Sequence, residues 1–160
     1  MRKRHRGNIT RLFLIPAFVI VCLHCNDEMN ITGITQTDAT GEIIGEPDDN
    51  DWCPPEYSDT EIGLPETNGM YPAYPNPAEV SVMIQYLIIQ PGHVKLEVMD
   101  NDENIIRKLV DAFRYAGEHV VLWQLDDENG KRVKPGYYRV TYYVNDEKIC
   151  AGDIKVLKQK

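Results

Sequence analysis

Two stretches in which apolar and polar residues alternate, one on each side of a polar turn, constrain the fold of this chain more than any other feature. The first spans residues 117–123 and the second spans residues 136–144. Alternate residues of a strand point to the same face, so each stretch predicts a half-buried strand. Between them, Asn129-Gly130 tolerates the positive φ angles of a tight turn. The sequence therefore predicts a hairpin with Trp123 and Tyr138 on its inner face.

Further alternating stretches precede this pair. Val94, Leu96 and Val98 alternate with polar neighbours, and turn residues separate six or seven such stretches at the spacing of an antiparallel sandwich. No segment has the apolar spacing of an amphipathic helix. We therefore expect residues 70–160 to form an all-β antiparallel sandwich. Its expected core includes Trp123, Tyr138, Val94, Leu96 and Val98.

Residues 1–24 have the order of a lipoprotein-type signal peptide. Five basic residues occur within the first eleven positions, and an apolar run from Leu12 to Leu23 follows. That run is too short to cross a bilayer as a helix. The stretch from Cys22 to Cys25 resembles a bacterial lipobox, which implies lipid on Cys25, with Cys22 as the second choice. An ordinary cleaved secretory peptide is the alternative.

Residues 25–69 are rich in Thr, Asp, Asn, Glu, Gly and Pro, and this composition predicts a flexible tether between the leader and the folded domain. If Cys22 is removed and Cys25 is acylated, Cys53 and Cys150 are the remaining thiols. Outside the cytoplasm they can form one intramolecular disulfide. Two separate thiols are the alternative.

The charge of the chain after the leader argues against nucleic acid as a partner. From Cys25 onward there are 12 basic and 25 acidic residues, a balance of −13. Such a surface repels phosphate backbones and anionic headgroups. Such a net charge is expected of a solvated protein surface.

Residues with catalytic or metal-binding chemistry are sparse. His93 and His119 are the histidines that lie beyond the leader, and no spacing unites them with carboxylates as metal ligands. Ser58 and Ser81 lack the glycines of a nucleophile elbow. We therefore expect no metal, no cofactor and no enzymatic activity. One aromatic set would form a platform for stacking sugars if it faced water, but alternation alone places half of it in the core. Its members are Tyr137, Tyr138, Tyr142, Tyr143 and Trp123.

The order of several motifs resembles a known family. Tyr-Pro-Asn-Pro at residues 74–77 is followed by the strand at 92–98, the stretch 116–123, Gly130, and Pro-Gly-Tyr-Tyr at 135–138. This order resembles the immunoglobulin-like domain of the flagellar hook-capping family, and it is similar to the C-terminal sorting domains of the type IX secretion system. Family members carry Asp-Gly after the tryptophan, where this chain has Gln124-Leu125. The resemblance implies an immunoglobulin-like fold and roles in assembly or export, not a reaction.

These observations predict a non-catalytic lipoprotein that is tethered to a membrane of the bacterial cell envelope, on the extracytoplasmic side. The outer membrane or the cell surface is favoured over the inner membrane. Its sandwich is expected to bind another envelope protein or a glycan. The alternative is a C-terminal secretion-sorting domain of an exported protein.

Overall fold

The protein, described by a computed structural model at Ile31 and at residues 33–159, forms seven β-strands, and none of the described residues is helical. The strands are β1 (Gly69–Met70), β2 (Val82–Ile88), β3 (Gly92–Met99), β4 (Ile105–Arg114), β5 (Gly117–Trp123), β6 (Gly136–Val144) and β7 (Glu147–Val156). One sheet has the order β1-β2-β5 and the other has the order β4-β3-β6-β7. Every pair is antiparallel. The predicted immunoglobulin-like antiparallel sandwich of six or seven strands is confirmed.

The core lies between the inner faces of the two sheets. Val94, Leu96, Val98 and Trp123 are fully buried, and Tyr138 is 8% exposed. The Trp123 and Tyr138 rings meet edge to face with their centroids 5.5 Å apart. Trp123 Nε1 donates to the Asp126 carbonyl at 2.9 Å, so the buried indole nitrogen has a partner. Each such side chain stabilises the fold by about 1.5–3 kcal/mol through burial, and this layer holds the sheets together.

The predicted hairpin of residues 117–144 is wrong, although both of its strands exist. β5 pairs with β2 in the three-stranded sheet, whereas β6 pairs with β3 and β7 in the other sheet. Residues 124–135 therefore carry the chain from one layer to the other. Leu125, fully buried within this connection, anchors it to the core. Alternation shows which face of a strand is buried, but it does not show which strand lies beside it.

Residues 33–68, which we name the strap, pack against the sandwich, and this differs from the flexible tether predicted for residues 25–69. Trp52 is 6% exposed, and Thr35, Thr37 and Asp51 are also buried. Thr37 forms an antiparallel bridge with Asn76. The folded unit therefore begins well before residue 70. A polar composition suggested a loose chain, but these polar groups have hydrogen-bond partners in the sandwich, which offsets the cost of burying them.

Candidate functional site

The outer edge of β7 is the place where the strap joins the sandwich. β7 is the last strand of its sheet, so its other edge presents backbone N–H and C=O groups. Six successive groups of that edge are paired by Trp52, Asp51, Asn76 and Ala78. The pairs are Ala151 C=O with Trp52 N–H, Asp153 N–H with Asp51 Oδ1, Asp153 C=O with Asn76 Nδ2, Lys155 N–H with Asn76 Oδ1, Lys155 C=O with Ala78 N–H, and Leu157 N–H with Ala78 C=O, at 2.6–3.0 Å. This edge is therefore closed to further strand pairing.

Asp51 and Asn76 are the buried polar residues at the centre of this junction. Asp51 Oδ2 accepts the Thr35 N–H at 2.8 Å, and Asn76 Nδ2 also donates to the Thr35 carbonyl at 3.0 Å. Asp153 is paired with Arg139 through two bonds of 2.7 Å. Because a buried carboxylate without partners is costly, this network is what allows acidic strap residues to enter the core.

Burial raises the pKa of Asp51 to about 6, although the hydrogen bonds that its carboxyl group accepts from the Thr35 and Asp153 N–H groups act to lower this pKa. The folded state therefore binds a proton that the unfolded state has released between pH 4 and 6, so stability from this group is present below about pH 4 and is lost as the pH rises through 6. We expect the free energy of unfolding to fall by about 2–3 kcal/mol across that window relative to Asp51→Asn. Urea unfolding of both proteins from pH 4 to 7 measures the difference. A constant difference at every pH would contradict the prediction.

A disulfide and an indole complete the junction. Cys53 and Cys150 are bonded, with Cα atoms 6.2 Å apart. The Trp52 ring lies against the backbone of Gly152, where an added Cβ would be 2.5 Å from indole Cε2. Trp52 has a φ of 67°, a left-handed conformation that costs an L-residue about 1–2 kcal/mol. The bonds and contacts on both sides of Trp52 offset this cost, so the strap is held at one defined place on β7.

Beside the strap, on the outer face of the three-stranded sheet, lies an open groove of about 440 Å³, which we name the tyrosine groove. Its lining combines aromatic, proline and amide side chains. Lining residues include Ile43, Pro54, Tyr71, Pro72, Tyr74 and Gln85. Its size is within the range of sites that bind small ligands or short segments. Rigid rings and prolines lose little conformational entropy on binding, so the groove has the composition of a recognition surface.

A chain of hydrogen bonds orients the hydroxyl groups at the groove. Tyr57 and Tyr71 share a hydroxyl contact of 2.6 Å, and Tyr71 Oη donates to Glu118 Oε1 at 3.3 Å. Burial raises the pKa of Tyr71, and its hydrogen bond with Tyr57 raises that pKa further. Tyr71 is therefore a neutral donor at physiological pH. Gln85 Nε2 donates to the other oxygen of Glu118 at 3.4 Å. This arrangement offers donors, acceptors and ring faces to a ligand, which suits binding.

The aromatic set that would form a sugar platform if it faced water is not brought together on a surface, in keeping with the core positions that alternation predicts for part of it. Trp123, Tyr138 and Tyr142 are buried, and Tyr142 Oη donates to the Leu87 carbonyl at 3.0 Å. Tyr137 is 37% exposed and lies under Lys155 Nζ, which is 5.5 Å from the ring centroid. The groove tyrosines instead come from segments that have no periodic pattern. The proline beside each of Tyr71 and Tyr74 was the only sequence signal that these rings are held in place.

The two described histidines take part in local contacts. His93 Nε2 lies 3.3 Å from Asp111 Oδ1. The His119 ring stacks on Tyr86 at 5.2 Å, and its Nε2 bonds the Tyr115 carbonyl. Among the residues that the structure describes, no three His, Cys, Asp or Glu side chains are placed to hold a metal ion.

Cys25 and Cys22, the predicted lipidation sites, lie outside the described residues, as does the whole leader. Within the part of the chain that is described, no helix is long and apolar enough to cross a membrane.

The acidic turns serve the fold. Asp127 Oδ1 accepts the N–H groups of Asn129 and Lys131, both at 2.9 Å, and so closes the turn before β6. Asp100 Oδ1 accepts from Asp102 and Asn104 in the β3–β4 turn. These carboxylates take the place of backbone acceptors, as Asx turns do.

The chain was also compared with known proteins. No family model matches the chain, and no curated protein matches it. Among solved structures, dimeric latent PorU from Porphyromonas gingivalis shares 16% sequence identity over 59% of this chain, with a TM-score of 0.47. The matched region is 10% of the PorU chain, so this chain spans a small part of that protein's length.

Proposed function

We propose that this protein is an extracytoplasmic lipoprotein of the bacterial cell envelope whose sandwich is a non-catalytic binding or assembly module. The Cys53–Cys150 disulfide carries the compartment assignment. Disulfides form and persist in oxidising compartments and are rare in the cytosol. Lipid on Cys25, or on Cys22, then attaches the chain to the outer membrane or the cell surface.

The tyrosine groove supports the binding role. Its rings, prolines and oriented hydroxyl groups are the side chains that recognise a protein segment or a glycan. Because the strap forms one wall through Ile43 and Pro54, the groove exists only while the strap is docked. The binding surface and the route to the membrane anchor are therefore parts of one folded unit.

The strap also bears on the alternative, a secretion-sorting domain that is removed from its cargo. A cut near residue 70 would pass between Cys53 and Cys150, and the two pieces would stay joined by the disulfide. It would also separate Asp51 and Trp52 from the sandwich in which they are buried. We expect a sorting domain that is cleaved from its cargo to have a loosely packed junction, so this close packing favours the anchored module.

Intact mass spectrometry of the mature protein, with and without reductant, tests this proposal. We expect a chain that begins at Cys25 or Cys22, carries the mass of acyl groups, and gains about 2 Da on reduction. Metabolic labelling with a fatty acid should be lost in Cys25→Ser, or in Cys22→Ser if Cys22 is the acylated residue. A released chain without lipid, cleaved near residue 70, would support the sorting domain instead.

A further inference from the structure

Three of the outermost strands of the two sheets are long, namely β4, β5 and β7. Their outer edges differ in how well they are protected from pairing with another strand. The β7 edge is paired by the strap, as described above. On β4, the Glu128 N–H donates to the Ile106 carbonyl at 3.0 Å and Glu128 Oε1 accepts the Lys108 N–H, and two register shifts interrupt the pairing with β3. Bulges, lysines and covering segments are the ways in which proteins prevent edges from pairing.

The edge of β5 has none of these protections. Its register with β2 runs without a shift from Gly117 to Trp123, and the strand contains neither lysine nor proline. Every second residue directs its backbone N–H and C=O away from β2. No hydrogen bond within residues 33–159 uses that outward set.

Apolar side chains accompany this open edge. Val120 is 56% exposed and Leu122 is 48% exposed. Both stand on the outer face, since they are opposite Gln85 and Met83 of β2. Next to Leu122 and Val80, a depression of about 400 Å³ continues the surface. An extended segment laid along β5 would bury these side chains and also satisfy the free backbone groups.

Charge selects among possible segments. Glu118 is the carboxylate of β5, it is exposed, and its two contacts, with Tyr71 and Gln85, are 3.3 and 3.4 Å long. A carboxylate has about four acceptor positions, so Glu118 retains capacity for a cation. The chain from Cys25 onward also has a balance of −13 from 12 basic and 25 acidic residues, which attracts a basic segment and repels a second copy of this chain.

We propose that β5 is a strand-addition site for an extended peptide of a partner protein, with apolar residues opposite Leu122 and Val120 and a lysine or arginine opposite Glu118. In antiparallel pairing, the peptide pattern is apolar, any residue, apolar, any residue, basic. This inference rests on the proposed binding role and specifies its partner. Absence of lipid would contradict the proposed lipoprotein, whereas absence of peptide binding would contradict the proposed β5 site, so the two failures can be told apart.

The test uses the mature full-length protein in detergent and the labelled, end-capped peptide Thr-Val-Thr-Val-Thr-Lys-Thr, with binding measured by fluorescence anisotropy. Saturable binding is expected. Val120→Lys should weaken it about tenfold, because the variant removes an apolar cross-strand pair and places like charges together. Ile62→Lys is the matched control. Ile62 is 79% exposed on the strap, and this variant should bind as the wild type does. Both variants should melt at the wild-type temperature.

Three further peptides separate strand addition from adhesion to an apolar face. Replacing the peptide lysine with glutamate should weaken binding at least threefold. N-methylation of the odd or of the even peptide amides should abolish binding in one case only, because only alternate amides face β5. Equal affinity of wild type and Val120→Lys would overturn the proposal. Self-association that Val120→Lys abolishes, without peptide binding, would overturn it in favour of a second copy.

Discussion

Replacement of both Cys53 and Cys150 with serine is expected to lower the free energy of unfolding by about 4 kcal/mol. The bond joins residues 97 positions apart, and closing a loop of roughly 100 residues removes enough entropy from the unfolded chain to stabilise the fold by about 4.7 kcal/mol in the simplest treatment. For a domain of this size, the melting temperature should fall by more than about 10 °C.

Urea unfolding of the double-serine variant and of the wild type, each with and without reductant, measures this effect. The reduced wild type should match the variant, and the variant should not respond to reductant. The slope of the free energy against urea should increase in the variant, since the unlinked chain exposes more surface when it unfolds. A loss below 1 kcal/mol would show that strap hydrogen bonds, and not the covalent link, dominate the junction.

Gly152→Ala is expected to cost about 3 kcal/mol, which is large for the addition of one methyl group. The new Cβ would overlap the Trp52 indole, and the neighbouring backbone is fixed by pairing with Val140 of β6. The indole must therefore leave its site. The cost then approaches that of truncating a buried tryptophan, about 3–5 kcal/mol, and exceeds the usual penalty for overpacking.

The double variant Trp52→Ala/Gly152→Ala provides the control for this pair. If the glycine is required only because the indole lies against it, then Gly152→Ala in the Trp52→Ala background should change stability by less than about 0.5 kcal/mol. The coupling energy is then close to the whole cost of Gly152→Ala. Displacement of Trp52, one of two tryptophans, should also shift the fluorescence emission to the red in the single variant. Additive costs would place the origin of the effect elsewhere.

The strands were predictable because their signal is local. Alternation at Val94, Leu96 and Val98 reports which side chains face the core, and these residues are buried. The partner of β5 was not predictable, since it depends on how two layers close around Trp123. A connection of residues 124–135 is compatible with a hairpin and with a crossing between sheets, and the pairing of β5 with β2 and of β6 with β3 and β7 shows that it is a crossing.

The strap and the groove were missed for a different physical reason. Asp51 is buried because its partner is the N–H of Asp153, 102 residues later, and no local pattern encodes such a bond. A polar composition indicates a flexible chain only when the polar groups remain in water. The groove around Tyr71 and Tyr74 could not be predicted for the same reason, since it is formed by segments that meet only in the folded chain. The one long-range contact that elimination could suggest was the cysteine pair.

The disulfide also decides how the molecule responds to mechanical load. Under tension between a point before Cys53 and a point after Cys150, the covalent path runs through the sulfur atoms, so the residues between them cannot be pulled out into an extended chain. About 340 Å of extended backbone, at roughly 3.5 Å per residue over the 97-residue separation, is withheld from stretching as long as the bond is intact. A chain pulled from both ends in this way keeps its β5 edge inside the closed loop, whereas the groove wall at Ile43 lies before Cys53 and is exposed to the load.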